Sequence, residues 1–411
     1  MPEPGSIQKL KRYWLLIIFP IVVAVCFIIA IRMDKSMQAA RNDRDFLPFW
    51  LAGRMIVNGE NPYDAGQWSA GYSQYENSLL VNPAFLYPLP LAQAFAPLGL
   101  LPMRNAYIVW VTISELMILA SLSSLLLMDK SEHAKLIFVP ILAGLALFRP
   151  TILTLTQGQV SVLFLFGLTG IALSWQRQRW FLGGLLLGLL ALKPNLGAPL
   201  IALLAAWLLL NQHWRALLGT LVSGIVLLIA GLIYDPAWVA QYWHVGGNKL
   251  AGTFGGSPTV WGLGALISHN NLTTTLLIGG FGALIILIGF FRVILLPHTT
   301  MSPLSILSLA VCVTLLVTPY TWTYDQLLLL LPVVAVTLGL DRMGVRFPLT
   351  VAILPGLDLL VIILLVFDAI LQVEILNVII PAAMLGMCLW RNSCLLTHLN
   401  WNATLPNTSS K

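Results

Sequence analysis

Apolar runs about as long as a bilayer is thick follow one another along most of this chain. A helix needs about 20 mostly apolar residues to cross the hydrocarbon core. Of the 411 residues, 58% are hydrophobic and 9% charged, whereas soluble domains carry about 25% charged residues. A soluble protein of this composition would expose large apolar patches. The sequence therefore predicts an all-α integral membrane protein and excludes disordered, fibrous and disulfide-stapled classes.

The apolar runs predict about twelve membrane-spanning helices in a single polytopic domain over residues 1–411. Several of the runs are short, which implies tilted helices or local bilayer thinning. The predicted spans are 13–32, 105–128, 136–150, 160–175, 180–193, 196–210, 214–233, 273–291, 303–318, 326–340, 348–367 and 374–390.

Residues 33–104 form the first long interruption and are rich in charged, aromatic and proline residues. Within this loop, residues 46–56 show apolar side chains at i, i+3, i+4 spacing, which predicts a short interfacial helix. The most apolar part, residues 83–101, contains prolines at 83, 88, 90 and 97. Because proline rings interrupt a straight helix, we interpret this part as re-entrant or interfacial.

The distribution of basic residues predicts the orientation of the chain. Cytoplasmic loops of membrane proteins carry an excess of Lys and Arg. With both termini in the cytoplasm, the predicted inner loops hold Lys130, Lys135, Arg177, Arg179, Arg215, Arg292, Arg342 and Arg346. This orientation places the loop 33–104 and a second long loop, 234–272, on the extracytoplasmic side, and a tail, 391–411, in the cytoplasm.

Several functional classes find no support in the sequence. The net charge of +6 comes from scattered basic residues, so we expect no nucleic-acid partner. The four cysteines have no CxxC spacing and the histidines no ligand spacing, so we expect neither a metal site nor a required disulfide. No internal repeat is visible, which counts against a transporter, since many transporters are built from repeats.

The polar loops with unusual residues all fall on the predicted outer face. Asp43 and Asp45 are candidate general bases, because a surface carboxylate is ionised and accepts a proton as a bond forms. The alternative interpretation of each is a solvated loop charge paired with Arg41 or Arg44. From the residues alone the two interpretations stay open.

Two cations interrupt apolar runs on the same face. Lys193 and Arg149 each precede a proline, and charges near membrane depth usually have a partner or a task. Both are candidates for binding a phosphate, although long side chains also snorkel to the interface.

Acidic and aromatic residues at membrane depth stay open to two interpretations each. Trp322, Tyr324 and Asp325 are either a set for sugar stacking and hydrogen bonding or part of an interfacial aromatic belt. Glu115 and Asp358 lie within spans and are either helix–helix contacts or ion-path groups.

An ordered series of motifs resembles glycosyltransferase family 87. The match runs over about residues 40–330, and no single motif is specific by itself. The matching motifs are Asp45-Phe-x-x-Phe-Trp-x-Ala-Gly-Arg54, Gly59-x-Asn-Pro-Tyr-Asp64, Phe85-x-Tyr-Pro-Leu-Pro90, Ala96-Pro-Leu-Gly-Leu-Leu-Pro102, Gln157-Gly-Gln159, Gly183 to Gly188, Leu192-Lys-Pro194 and Thr318-Pro-x-x-Trp322.

The resemblance implies a GT-C-type helical bundle with its active site on the extracytoplasmic face. It implies a polyprenyl-phosphate sugar donor, by default mannose, a lipid or glycan acceptor, and no cofactor. It also implies that the aspartate of the first outer loop, here Asp45, is the catalytic base of an inverting transfer. Phosphate or substrate binding is then expected at Arg44, Arg149, Gln159, Lys193, Trp322, Tyr324 and Asp325.

One departure from the family pattern affects the expected substrate. Better-known mannosyltransferases of the family continue with histidines after the late tryptophan, whereas this chain has Tyr324, Asp325 and Gln326. The identity of the transferred sugar is therefore open. The competing hypothesis is a transporter or flippase for a lipid-linked or small anionic substrate, with Glu115, Asp358 and Lys193 as its intramembrane groups. A purely structural scaffold is a third.

Overall fold

The structure is a computed structural model of the 411-residue chain. It describes residues 4–40, 45–74, 84–128, 132–145, 147–247, 254–295, 301–343, 345, 350, 352–371 and 374–404. All regular elements of this described part are helical, so the predicted all-α class is confirmed there. Backbone polar groups in a bilayer must be satisfied internally, and helices achieve this within one segment.

The first half of the chain contains long helices separated by a set of short ones in the predicted outer loop. These helices are α1 (Pro4–Ala40), α2 (Phe46–Asn58), α3 (Ala65–Ser73), α4 (Leu89–Gly99), α5 (Met103–Leu127), α6 (Glu132–Leu145), α7 (Arg149–Gln157), α8 (Ser161–Gln176) and α9 (Trp180–Leu189), which a 3₁₀ turn, Leu190–Leu192, follows.

The second half continues with helices interrupted by two further 3₁₀ segments, Thr323–Leu329 and Ile375–Val378. The helices are α10 (Pro194–Leu210), α11 (Trp214–Tyr234), α12 (Trp238–Gly247), α13 (Val260–Ile267), α14 (Leu272–Leu295), α15 (Pro303–Val317), α16 (Leu330–Arg342), α17 (Ile353–Leu371) and α18 (Ile379–Thr404). The predicted tail 391–411 therefore begins inside α18, and residues 405–411 lie outside the described part.

By length and composition, 4 helical stretches of the described chain are able to cross a membrane: Met103–Leu126, Trp214–Tyr234, Leu272–Leu295 and Thr323–Asp341. A helix pair bent by 58°, Val139–Leu145 with Arg149–Gln157, makes a fifth if it is one span. Further predicted spans form apolar helices of 10–17 residues. A membrane helical protein is thus confirmed, and the number of about twelve spans stays a prediction.

The chain divides into two compact units. Unit 1 comprises Met1–Phe85, Ala92–Ala120 and Leu155–Gln159, and unit 2 comprises Leu86–Leu91, Ser121–Thr154 and Val160–Lys411. The single domain over residues 1–411 stays a prediction.

The core of unit 1 is an aromatic cluster around α2, α4 and α5. The ring of Phe95 lies 5.4 Å from that of Phe49 and 4.8 Å from that of Trp110. The backbones of α2 and α4 touch, because a Cβ on Gly53 would lie 2.4 Å from the carbonyl oxygen of Phe95. Only glycine permits this approach.

The environment of α2 corrects one expectation. The predicted helix over residues 46–56 is present, as α2, but its apolar face is not interfacial. Phe46, Phe49, Trp50, Ala52 and Met55 are buried in the protein. An amphipathic pattern predicts a helix with one apolar face, and the same pattern fits a bilayer surface or a protein core. Here the protein covers that face.

The proline-rich segment 83–101 forms α4, which has 11 residues and is therefore about 16 Å long. A helix of that length does not cross a hydrocarbon core about 30 Å thick. Pro88 and Pro90 stand at its start and Pro97 near its end. The interpretation of this segment as something other than a straight span agrees with this geometry, while Pro83 lies outside the described residues.

The core of unit 2 is built around α15 and α16. Every residue of α15 from Ser305 to Leu316 is buried. Arg391 of α18 is also buried, and its guanidinium donates to the carbonyl oxygen of Ala335 in α16 at 2.7 Å and to the hydroxyl of Ser305. A buried arginine with such partners anchors α18 to this core.

Candidate active site

Asp45 stands directly before α2, where the helix presents its N-terminal end. Its side chain is exposed and does not cap the helix. Instead, one carboxylate oxygen accepts a hydrogen bond from Nε2 of Gln159 at 2.6 Å. The positive end of a helix dipole favours a negative charge at this place. The structure therefore presents Asp45 as an accessible carboxylate that accepts a hydrogen bond from a neutral amide.

The backbone beside Asp45 is held by the same turn. The N–H of Asp45 points to Oε1 of Gln157 at 3.4 Å. The carbonyl oxygen of Gly158 accepts from the indole of Trp110 at 2.9 Å, and the phenol of Tyr107 donates to the carbonyl oxygen of Thr156 at 2.8 Å. Side chains of α5 thus fix the turn 157–159 that contacts Asp45.

Gly158 adopts a φ of 67°, in the left-handed region that side chains disfavour by about 1–2 kcal/mol. A Cβ there would also lie 2.7 Å from Cβ of Phe46, the residue after Asp45. We expect Gly158→Ala to destabilise the protein by roughly 2–4 kcal/mol. Thermal unfolding in detergent measures this effect.

The matched control is Gly59→Ala, because Gly59 has a φ of 74° and nothing within 4 Å of its added Cβ. Only the backbone cost, about 1–2 kcal/mol, is expected for it. Equal melting temperatures for the two variants would show that the contact with Phe46 is unimportant.

Lys193 and Asp325, two separate candidates in the sequence, contact each other within unit 2. The ammonium Nζ of Lys193 lies 2.5 Å from Oδ1 of Asp325 and donates to the hydroxyl of Ser161 at 3.2 Å. Ser161 in turn donates to the same carboxylate oxygen at 2.5 Å. The lysine and aspartate side chains are 3% and 0% exposed. The charge of Lys193 is therefore neutralised inside the protein.

The aromatic residues next to Asp325 have different surroundings. The backbone N–H of Trp322 donates to Oδ2 of Asp325 at 3.2 Å, while Trp322 as a residue is 37% exposed. The ring of Tyr324 lies over the ammonium of Lys193, with Nζ 5.1 Å from its centroid. Asp325 is thus a buried anchor in the first turn of the 3₁₀ segment Thr323–Leu329, and Trp322 is the exposed member of the set. Their roles in sugar binding stay predictions.

Arg149 belongs to a second network of unit 2. Its guanidinium lies 3.2 Å from Oε1 of Glu374, and Oε2 of Glu374 accepts from the hydroxyl of Thr323 at 2.7 Å. The two charged side chains are 19% and 36% exposed, so this pair is accessible where the Lys193 pair is not. Sequence reasoning missed Glu374. The available signal was its place at the start of the span 374–390, on the same predicted face as Arg149.

Tyr320, which is close to Asp325, and its neighbour Tyr242 keep their protons at neutral pH. Burial raises the pKa of Tyr242 to about 12, and the neighbouring Tyr320 adds to the shift. Burial likewise raises the pKa of Tyr320, with a further contribution from the charge of Asp325. Both phenols can therefore donate hydrogen bonds but not act as bases.

Four further candidates from the sequence are either outside the described residues or buried. Arg44 and Asp43 lie outside the described residues. Glu115 and Asp358 are buried, and among the described residues Oε2 of Glu115 and both carboxylate oxygens of Asp358 have no hydrogen-bond partner.

The fold and the site together define a helical membrane protein with an exposed carboxylate at the start of a helix. The sequence profile of glycosyltransferase family 87 matches residues 85–319, more than half of the chain. The chain therefore belongs to glycosyltransferase family 87.

Curated relatives add a narrower similarity. The chain is similar to an α-(1→3)-arabinofuranosyltransferase of Mycobacterium tuberculosis, found in strains CDC 1551 / Oshkosh and H37Rv, with 32% identity over 199 residues in each case. The match covers 47% of this chain and 42% of the relatives, so it spans less than half of their length. No solved structure matches the chain significantly.

Proposed function

We propose that this protein transfers a sugar from a polyprenyl-phosphate donor to a hydroxyl of a lipid or glycan acceptor on the extracytoplasmic face of the cell membrane. The observation that carries the proposal is the accessible carboxylate of Asp45, held by Gln159, in a chain of glycosyltransferase family 87. Both termini are proposed to lie in the cytoplasm, as the distribution of basic residues predicts.

The proposed reaction is a single inverting displacement. The acceptor oxygen forms a bond to the anomeric carbon while the bond from that carbon to the phosphate oxygen breaks. Asp45 takes the proton of the acceptor hydroxyl, and the polyprenyl phosphate leaves with the bonding electron pair. A β-linked donor gives an α-linked product. Charge developing in this transition state is stabilised by nearby fixed dipoles and cations.

Among the predicted phosphate ligands, Arg149 is favoured over Lys193. The Lys193 charge is buried and paired with Asp325, whereas Arg149 keeps an exposed fraction and a partly exposed partner. A guanidinium also binds phosphate through two parallel hydrogen bonds. We therefore assign the donor phosphate to Arg149, which exchanges Glu374 for the ligand.

We expect Arg149→Gln to raise the KM for the lipid-phosphate donor roughly tenfold or more, because one charge-assisted contact is lost. Conversely, Glu374→Gln removes the carboxylate that competes with the donor phosphate for Arg149, and it should lower the same KM. Steady-state transfer kinetics at varied donor concentration measure both. Arg215→Gln, at an exposed position, is the control, and an unchanged KM in Arg149→Gln would contradict the assignment.

The identity of the sugar requires its own comparison. Mannose is the default from the family resemblance, whereas the curated relatives are named for arabinofuranose transfer. Purified protein is incubated with labelled polyprenyl-phosphate mannose or polyprenyl-phosphate arabinofuranose and a membrane lipid extract of the host. The donor that yields a new labelled glycoside identifies the sugar class.

A transporter or flippase is the second candidate. Its supporting observation is the burial of two acidic side chains, Glu115 and Asp358. Oε2 of Glu115 and both carboxylate oxygens of Asp358 have no hydrogen-bond partner among the described residues. In proteoliposomes, counterflow of a labelled lipid-linked sugar without a new glycosidic bond would favour transport. A new bond that depends on Asp45 favours the transferase.

A further inference from the structure

We propose that residues 157–159, the carboxylate-holding turn, are a positioning device for Asp45, with Gln159 as the residue that orients the carboxylate and favours its ionised form. This inference rests on the proposed function, because it names how the proposed base is prepared. Gln159 is thereby a positioning residue and not a ligand of the phosphate.

The hydrogen bond between the two side chains has a defined direction. An ionised carboxylate only accepts hydrogen bonds, so the amide of Gln159 presents its N–H to Asp45 at 2.6 Å. Hydrogen bonds to charged acceptors are short and strong. The contact therefore stabilises the carboxylate relative to the carboxylic acid.

The burial of Gln159 shows that this contact is the main use of its side chain. The residue is 1% exposed, and in the described part of the chain its Oε1 has no hydrogen-bond partner. Leaving a buried polar atom unpaired is unfavourable. The amide oxygen of Gln159 is left unpaired among the described residues, while its N–H is directed at Asp45. The orientation of that carboxylate explains why a glutamine occupies this position.

Hydrogen bonds and packing fix the backbone of the turn that carries Gln159. Trp110 and Tyr107 of α5 donate to carbonyl oxygens of Gly158 and Thr156. Gly158 packs its α-carbon against Phe46, directly after Asp45. The amide of Gln159 therefore projects from a fixed backbone. The backbone of Asp45, whose side chain the amide contacts, is also held.

A neutral amide suits a general base better than a cation does. An arginine or lysine in this place would neutralise Asp45 and hold its charge in an ion pair. An amide orients the carboxylate and leaves its negative charge available to the acceptor proton.

The test uses Gln159→Met, which keeps the length of the side chain and removes its N–H. In the transfer assay we expect kcat to fall roughly tenfold to a hundredfold, with the donor KM changed less than about twofold. In an Asp45→Asn background the same change should cause no further loss, since Gln159 acts through Asp45. Gln176→Met, at an exposed helix end, is the control and should leave kcat unchanged.

A second readout does not require transfer. A water-soluble carbodiimide with an amine couples to protonated carboxyl groups, and peptide mass spectrometry gives the pH midpoint of labelling at Asp45. We expect this midpoint to rise by about one pH unit in Gln159→Met, a tenfold loss of carboxylate stabilisation. If the methionine variant fails to fold, the isosteric Gln159→Glu replaces it and should raise the midpoint further through like-charge repulsion.

The outcomes separate this inference from the proposed function. A raised midpoint together with no transfer by wild-type protein would support the positioning role and refute the transferase. Transfer that depends on Asp45, together with an unchanged midpoint and unchanged kcat in Gln159→Met, would keep the transferase and overturn the positioning role.

Discussion

Asp45→Asn is expected to lower kcat for sugar transfer by roughly a hundred- to ten-thousandfold, the usual contribution of a general base. Asparagine preserves the size of the side chain and removes its ability to accept the acceptor proton. Because Asp45 is exposed and does not cap α2, the melting temperature should stay close to that of the wild type. Donor binding should also persist.

Asp64→Asn is the matched control for this variant. It makes the same chemical change in the same predicted loop, where Asp64 caps α3 by accepting from the N–H of Gln67 at 2.8 Å. Asparagine caps a helix about as well as aspartate, so both stability and transfer should be retained. Full sugar-transfer activity in Asp45→Asn would contradict the assignment of Asp45 as the general base.

Lys193→Met is expected to destabilise the protein by roughly 3–5 kcal/mol, because it leaves the carboxylate of Asp325 buried without its cation. The carboxylate is 0% exposed and its described partners then reduce to Ser161 and the N–H of Trp322. The cation–π contact with Tyr324 is lost as well. Thermal unfolding in detergent and the yield of folded protein measure the effect.

The double variant Lys193→Met with Asp325→Leu tests whether the loss comes from the unpaired charge. Replacing both partners of a buried ion pair by apolar residues is often nearly neutral. The double variant should therefore melt above the Lys193→Met single variant. If the double variant melts below both Lys193→Met and Asp325→Leu, the two side chains stabilise the protein independently.

Much of the helical framework could be predicted from the sequence. Apolar runs and helix periodicity are local properties, so α5, α11 and α14 were expected near their observed bounds. The short helix α2 was also expected, but its environment was not. The pattern that gives a helix an apolar face does not state whether lipid or protein covers it.

The pairings within the candidate site could not be predicted, because they join residues far apart in the chain. Gln159 and Asp45 are 114 residues apart, and Lys193 and Asp325 are 132 residues apart. A sequence shows that each residue is unusual in its own segment, and tertiary packing decides which ones meet. Two expected ligands, Gln159 and Lys193, therefore proved to contact acidic side chains of the protein itself.

The choice between a lipid-phosphate donor and a nucleotide-sugar donor defines the proposed reaction, and one assay compares the two donor classes. Purified protein in detergent is incubated with host membrane lipids and either a labelled polyprenyl-phosphate sugar or the corresponding nucleotide sugar. We expect a new labelled glycoside from the lipid-phosphate donor only. A product formed from the nucleotide sugar alone would contradict it.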